Sequence, residues 1–167
     1  MLKSHTIDEL ITLAIETETQ AMELYESMSR LFAHERGVAE FWDDLRNDET
    51  RHVGILRGLL ETLPAGTLAG QADEASWQVL IDARERIRRK LATPFATLDE
   101  AYEFSHEIEY HEINGVFKFL AAGITPGYMS KEIIDANIRD HQQKLIEFSA
   151  RFGGKSWRQS VLPQARQ

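Results

Sequence analysis

Carboxylates and imidazoles interrupt the apolar faces of four predicted helices. Glu49 and His52 lie three residues apart, which places both side chains on one face of a helix. Glu18, Glu109 and His141 each interrupt the apolar stripe of a further predicted helix. Burying such groups in one apolar layer is costly unless a cation neutralises them, and mixed oxygen and nitrogen donors suit iron, manganese or zinc. The pattern therefore predicts a buried transition-metal site.

Long helices must position these groups. Apolar residues recur with the 3-and-4 spacing of a buried helix face, and they predict four helices, at Thr6–Leu31, Arg36–Thr62, Thr97–Ala122 and Ser130–Phe152. The polar interruptions fall near the middle of each helix. Helices packed side by side in a bundle bring their midpoints to one depth, so these groups should converge on one layer. The sequence predicts an all-α, antiparallel four-helix bundle.

The two halves of the chain share their order of features. Thr6 and Glu9 form a capping-box motif, and Thr97 and Glu100 repeat it at the start of the third predicted helix. Carboxylates and a histidine follow in the same order in each half, which indicates two helical hairpins from a duplication. Between them, residues 63–96 predict a long crossover with an extra helix at Ala75–Leu91. Its basic face is either solvated or a docking surface for an acidic partner.

Composition limits the classes of function. The 167 residues suit one domain, and the net charge of −8, spread along the chain, argues against binding nucleic acid or an anionic membrane. Cysteine is absent, which excludes disulfides, a thiol nucleophile and cysteine-ligated clusters. The N-terminal residues contain no apolar run long enough for a signal peptide or a spanning helix. We therefore expect a soluble, cytoplasmic protein.

These motifs resemble the rubrerythrin branch of the ferritin-like superfamily. The likeness is closest at Ala14–Tyr25 and at Asp48–His52. It implies a ferritin-like bundle over residues 1–154, followed by a tail at 155–167, and a carboxylate-bridged di-iron site. By this resemblance Glu18 is a terminal ligand, Glu49 a bridging ligand and His52 a nitrogen ligand. Tyr25 matches a family tyrosine that hydrogen-bonds near the metals, although it could also be a core aromatic residue.

The second half departs from the family pattern. Glu109 matches the ligand of the third helix, but Ile138 stands where the Glu of the fourth-helix Glu-x-x-His motif is expected before His141. His106 lies three residues before Glu109 and is a candidate ligand in compensation, or else a hydrogen-bonded core residue. Three carboxylates against two divalent ions would leave a net charge of about +1. The second ion should therefore be held less well than in the family pattern.

The resemblance implies a non-haem di-iron oxidoreductase that oxidises ferrous iron with peroxide or dioxygen. Two iron ions are expected as cofactors, with zinc or manganese possible, and peroxide reduction would need an external electron donor because the cysteine-rich donor domain of rubrerythrins is excluded. The alternative is a non-redox bundle that holds zinc or a single ion for structural reasons. A homodimer is also expected, with Trp42, Phe117 and Phe119 facing outward at its interface.

Overall fold

Helices account for most of the residues that the structure describes. A computed structural model describes residues 4–110, 114–118, 120 and 131–152. Its helices are α1 (Ile7–Leu31), α2 (Arg36–Thr62), α3 (Ala65–Leu68), α4 (Glu74–Ala92), α5 (Leu98–Ile108), α6 (Asn114–Lys118) and α7 (Lys131–Phe152). Within these residues the only β-type pairing is an isolated bridge between Thr6 and Gln71. The predicted all-α class is confirmed, and the predicted tail at 155–167 lies outside the described residues.

Capping residues set the beginnings of α1 and α5. The Thr6 hydroxyl accepts a bond from the Glu9 N–H at 3.2 Å, and the Glu9 carboxylate accepts one from the Thr6 N–H at 2.9 Å. The Thr97 hydroxyl likewise accepts from the Glu100 N–H at 3.1 Å, whereas the Glu100 carboxylate accepts from the N–H of Ala96 instead of Thr97. Each cap satisfies backbone donors that a helix N-terminus leaves unpaired. The local signals for both helix starts were therefore correct.

Helices α1 and α2 form an antiparallel hairpin. Tyr25 near the end of α1 stacks on Trp42 in the first half of α2, and Glu18 faces His52 further along α2. Helix α7 also runs antiparallel to α2, because Phe41 stacks on Phe148 while Asp48 contacts residue 141. In both helix pairs, α1 with α2 and α2 with α7, the residue numbers of successive contacts rise along one helix and fall along the other.

Helix α5 runs antiparallel to α1 and therefore in the same direction as α2. Ser105 contacts Met28, and the Tyr25 hydroxyl reaches residue 109 just past the end of α5. Because α2 and α5 run in the same direction, the chain between them must return along the bundle. Helix α4 makes that return beside α1, as the contacts of Trp77 with His5 and of Arg84 with Glu16 show. Its bounds agree with the predicted extra helix to within one residue at each end.

The basic face of α4 is paired within the chain. Arg84 bonds to Glu16 of α1, and Arg86 and Lys90 bond to carboxylates of α5. The remaining arginines pair with Glu85 on the same helix. Exposed pairs of this kind stabilise by about 0–1 kcal/mol each. They tie the crossover helix to the bundle, which favours the solvated-face interpretation over a docking surface.

The third predicted helix differs from a single regular helix. Helix α5 ends at Ile108, and Glu109 and Tyr110 continue in the wider π-helical geometry. Residues 111–113, 119 and 121–130 lie outside the described residues. A π turn shifts the angular position of the residues that follow it, and such turns are frequent at functional sites. The apolar period alone does not reveal this change.

Two apolar clusters fill the bundle, one on each side of a polar layer. One contains Tyr25, Trp42, Phe104 and Phe148 among others, and the second is built around residues at 10–14, 56–63, 116–120 and 134–138. Trp42 and Phe117 are fully buried in these clusters, so the prediction that they face outward at a dimer interface is wrong. Phe119 lies outside the described residues. No helix among the described residues combines the length and apolar character needed to cross a membrane.

Candidate metal centre

Five titratable side chains meet in the polar layer between the two apolar clusters. They come from α1, α2, the π turn after α5, and α7, and none is more than 2% exposed: Glu18, Glu49, His52, Glu109 and His141. Their possible ligand atoms form two groups, each with all atoms within 4.8 Å of one another. We call the group of Glu18, Glu49 and His52 the Glu18 position, and the group of Glu49, Glu109 and His141 the Glu109 position. Glu49 belongs to both.

The Glu18 position is built from the α1–α2 hairpin. His52 Nδ1 lies 2.8 Å from Glu49 Oε2 and 3.7 Å from Glu18 Oε1. The His52 ring stacks on Phe117 at a centroid distance of 4.3 Å. One imidazole nitrogen therefore faces two carboxylates, with an aromatic ring against the face of the imidazole.

The Glu109 position joins α2, the π turn and α7. His141 Nε2 lies 2.9 Å from Glu109 Oε2 and 3.5 Å from Glu49 Oε1. The Tyr25 hydroxyl donates a hydrogen bond to Glu109 Oε1, which leaves Oε2 directed at His141. The structure thus brings Tyr25 against a candidate ligand.

Two buried carboxylate oxygens of the layer lack hydrogen-bond partners among the described residues. They are Glu18 Oε2 and Glu49 Oε1. Such orphaned atoms are rare in protein interiors and call for an explanation. Glu18 Oε2 lies in the Glu18 position, Glu49 Oε1 belongs to the shared ligand, and carboxylate oxygens coordinate divalent cations. The residues present therefore fit divalent metal ions, which the two ligand groups that share Glu49 would hold.

Burial and mutual repulsion perturb the acids of the layer in different directions. Burial, reinforced by the Glu49 carboxylate, raises the pKa of Glu18 well above its usual range. Burial and the charge of Glu109 likewise raise the pKa of Glu49. Burial opposes the charged forms of His141 and Glu109, but their attraction outweighs it, so the pKa of His141 is raised and that of Glu109 is lowered. Without a cation, the layer holds protons that a metal ion can replace.

His52 titrates differently from His141. Burial lowers the pKa of His52, although the charge of Glu18 works against this effect. A neutral imidazole is the form that coordinates metals. Burial thus favours the neutral, ligating form of His52.

Asp48 and Lys144 take part in the site although the sequence analysis did not select them. Asp48 is 2% exposed, and its Oδ2 lies 3.2 Å from His141 Nδ1. Lys144 Nζ donates to both Asp48 oxygens at 2.7 and 2.9 Å, and Arg51 donates a further bond. Burial raises the pKa of Asp48, but the bonds from His141 and Lys144 outweigh it and lower the pKa to about 2. A carboxylate on Nδ1 leaves Nε2 of a histidine to coordinate a metal.

A weak signal for this contact is present in the sequence. Lys144 follows His141 by three residues and so shares its helix face, while Asp48 directly precedes Glu49. Asp48 falls off the apolar stripe of α2 by one helical step, so the stripe alone does not select it as a buried residue. It is buried because α7 packs against that side of α2.

His106 and Ile138 add no ligand to either metal position. His106 is half-buried and stacks on Tyr110 at a centroid distance of 4.3 Å, and it joins neither metal position. Ile138 is 8% exposed and packs in an apolar cluster, so no carboxylate is supplied one turn before His141. The metal-ligand groups in the described part of the chain thus contain three carboxylates and two imidazoles.

No protein-family model, curated protein or solved structure matches this chain. The class of protein follows from the fold and the site alone. The chain is an all-α protein with a buried carboxylate–histidine cluster that could hold metal ions.

Proposed function

We propose that this chain is a rubrerythrin-like, non-haem di-iron protein with a ferritin-like bundle. In this function it oxidises ferrous iron with peroxide or dioxygen and serves in iron handling or the response to oxidative stress. One observation carries the proposal: the two groups of buried ligand atoms share Glu49, which is the arrangement a carboxylate-bridged pair of ions requires.

The direction of the helices supports the same proposal. Helices α2 and α5 run in the same direction and are joined by a crossover that contains α4. A single long crossover of this kind distinguishes ferritin-like bundles from up-down bundles with short loops. Sites in such bundles are built from inward side chains at the middle of facing helices. The polar layer lies between the two apolar clusters in this way.

The protein's own residues supply positioning and exclusion of water. Glu49 can give one oxygen to each ion, and Tyr25 fixes one oxygen of Glu109. Apolar clusters on both sides of the layer limit access of bulk water. Bound iron would supply the one-electron chemistry toward peroxide or dioxygen. Ferrous substrate brings its own electrons, whereas peroxide reduction proceeds with an external electron donor.

Ile138 favours a second candidate function. With three carboxylates, two divalent ions leave a net charge of about +1 in a buried layer, which disfavours the second ion. Imidazole donors also shift preference toward zinc or copper along the Irving–Williams order. A single ion or zinc would then hold the four helices together without redox chemistry.

Metal content separates the two candidates. Protein purified from iron-supplemented cells is analysed beside Glu49→Ala and His141→Ala, with Glu61→Ala as a control on the exposed face of α2. About two irons per chain, lost in both site variants and kept in the control, supports the di-iron function. An iron-dependent near-ultraviolet band after peroxide addition would extend it to redox chemistry. One ion per chain, or zinc with iron refused on reconstitution, supports the structural candidate instead.

A further inference from the structure

The two metal positions differ in how their ligands are supported. In the Glu109 position, both ligands that are not shared are held by a second protein group. Tyr25 donates to Glu109 Oε1, and Asp48 Oδ2 lies 3.2 Å from Nδ1 of His141. The outer groups fix which oxygen and which nitrogen point inward. Such supporting contacts typically raise metal affinity by about 10–100-fold.

Asp48 is itself anchored. Lys144 of α7 donates to both of its oxygens, and Arg51 of α2 adds another bond. Because the Lys144 side chain is 28% exposed, the series of contacts from Lys144 through Asp48 links the surface to His141. Helices α2 and α7 are thereby held in the register that directs His141 Nε2 at Glu49 and Glu109. The Glu109 position is preorganised before any ion binds.

The Glu18 position lacks comparable support among the described residues. Glu18 Oε2 is buried without a hydrogen-bond partner. The contacts of His52 Nδ1 are with the two candidate ligands themselves, and the ring lies against the apolar face of Phe117. Its three ligands also come from a single helical hairpin. Glu18 therefore has no outer group that fixes which of its oxygens points at an ion.

Because both metal positions share the Glu49 carboxylate, two ions should bind in sequence with different affinities. A first divalent ion in the Glu109 position is balanced by Glu49 and Glu109. A second ion meets one new carboxylate, Glu18, and the repulsion of the first ion across Glu49. Like charges at such separations in a buried site interact strongly. The second ion is consequently bound more weakly and exchanges faster.

We propose that the Glu109 position holds a resident divalent ion and that the Glu18 position is the exchangeable one, which admits ferrous substrate. The entry of ferrous substrate at the Glu18 position rests on the proposed function, whereas the resident ion at the Glu109 position concerns only the order of metal binding. Asp48 acts here as a positioning residue for His141. A structural ion and a substrate ion would then sit side by side, bridged by Glu49.

Anaerobic titration of the metal-free protein with Co²⁺ tests this inference, because the visible spectrum of bound cobalt reports each step without any turnover. Wild-type protein should bind in two steps. Glu18→Gln should remove the weaker step and keep the tighter one. Asp48→Asn should weaken the tighter step by about 10–100-fold and change its spectrum. Asp140→Asn, an exposed acid that also contacts Lys144, is the matched control and should behave as wild type.

Three results would overturn the inference: loss of the tighter step in Glu18→Gln, an unchanged tighter step in Asp48→Asn, or no binding of cobalt at all. If wild-type protein binds a single ion that Glu18→Gln retains and His141→Ala loses, the resident position stands while the di-iron function fails. Far-ultraviolet circular dichroism of each metal-free variant identifies any that do not fold. Glu18→Asp keeps the negative charge that Glu18→Gln removes, so it should show the weaker cobalt-binding step that Glu18→Gln lacks.

Discussion

Asp48→Asn is expected to destabilise the metal-free protein in a pH-dependent way. The carboxylate is 2% exposed and bonds to Lys144, Arg51 and His141. Its pKa falls from an ordinary value of 3.8 to about 2. At about 1.4 kcal/mol per pH unit, this corresponds to about 2 kcal/mol. The partners Lys144 and Arg51 are 28% and 58% exposed, and solvent screening there reduces the expected loss to about 1–2 kcal/mol.

The sign of the pH dependence follows from the lowered pKa. A group whose pKa is lower in the folded state stabilises the protein above its unfolded pKa, and this contribution is lost as pH falls through the folded value. The difference between wild type and Asp48→Asn should therefore be complete at about pH 6 and shrink as the pH falls from about 4 toward 2. Urea unfolding followed by circular dichroism measures it, with chelator present throughout.

Asp140→Asn provides the matched comparison for this stability measurement. Asp140 lies 3.4 Å from Lys144, but its side chain is 63% exposed. An exposed pair contributes little, so the change should stay below about 0.5 kcal/mol. An equal loss in both variants, or a loss in Asp48→Asn that is constant down to low pH, would refute the assignment of a buried, charged Asp48.

Further changes probe the layer itself. Ile138→Glu places a carboxylate in an 8% exposed apolar site, so the free energy of unfolding of the metal-free protein should fall by about 3–5 kcal/mol. Saturating metal should restore this stability in thermal unfolding, and a failure to restore it would argue that residue 138 does not face the ions. Tyr25→Phe removes the donor to Glu109 Oε1 and should cost about 1–3 kcal/mol in urea unfolding, whereas an unchanged midpoint would contradict that bond. Because burial raises the pKa of Glu18 and Glu49, zinc binding should release protons and tighten as pH rises; calorimetry in buffers of different ionisation enthalpy measures the release, and buffer-independent heats would count against it.

Local signals were sufficient for α1, α2 and α4. The apolar period and the capping motif at Thr6 placed α1 and α2 to within a residue, because helix ends depend on nearby backbone donors and acceptors. Polar residues that interrupt an otherwise apolar stripe also located the five side chains of the layer. Such an interruption is informative because burial of an unpaired charge is so unfavourable.

Contacts between helices had to come from the tertiary structure. Asp48 lies one helical step off the stripe of α2, and only the packing of α7 against that face buries it against Lys144. The same packing encloses Trp42, which the period of α2 alone had placed outside. A Glu-x-x-His motif such as that of Glu49 and His52 does not reveal which other helices supply the side chains that contact it.

The sequence by itself determined the helical class, the helix starts and the set of residues able to bind metal, since these depend on period and residue type over a few turns. The tertiary structure decided which of them meet. It placed Glu49 between two groups, left His106 outside both, and gave His141 its outer carboxylate. The physical reason is that the angle and register between helices, together with the π turn at Glu109, depend on the packing of the whole core.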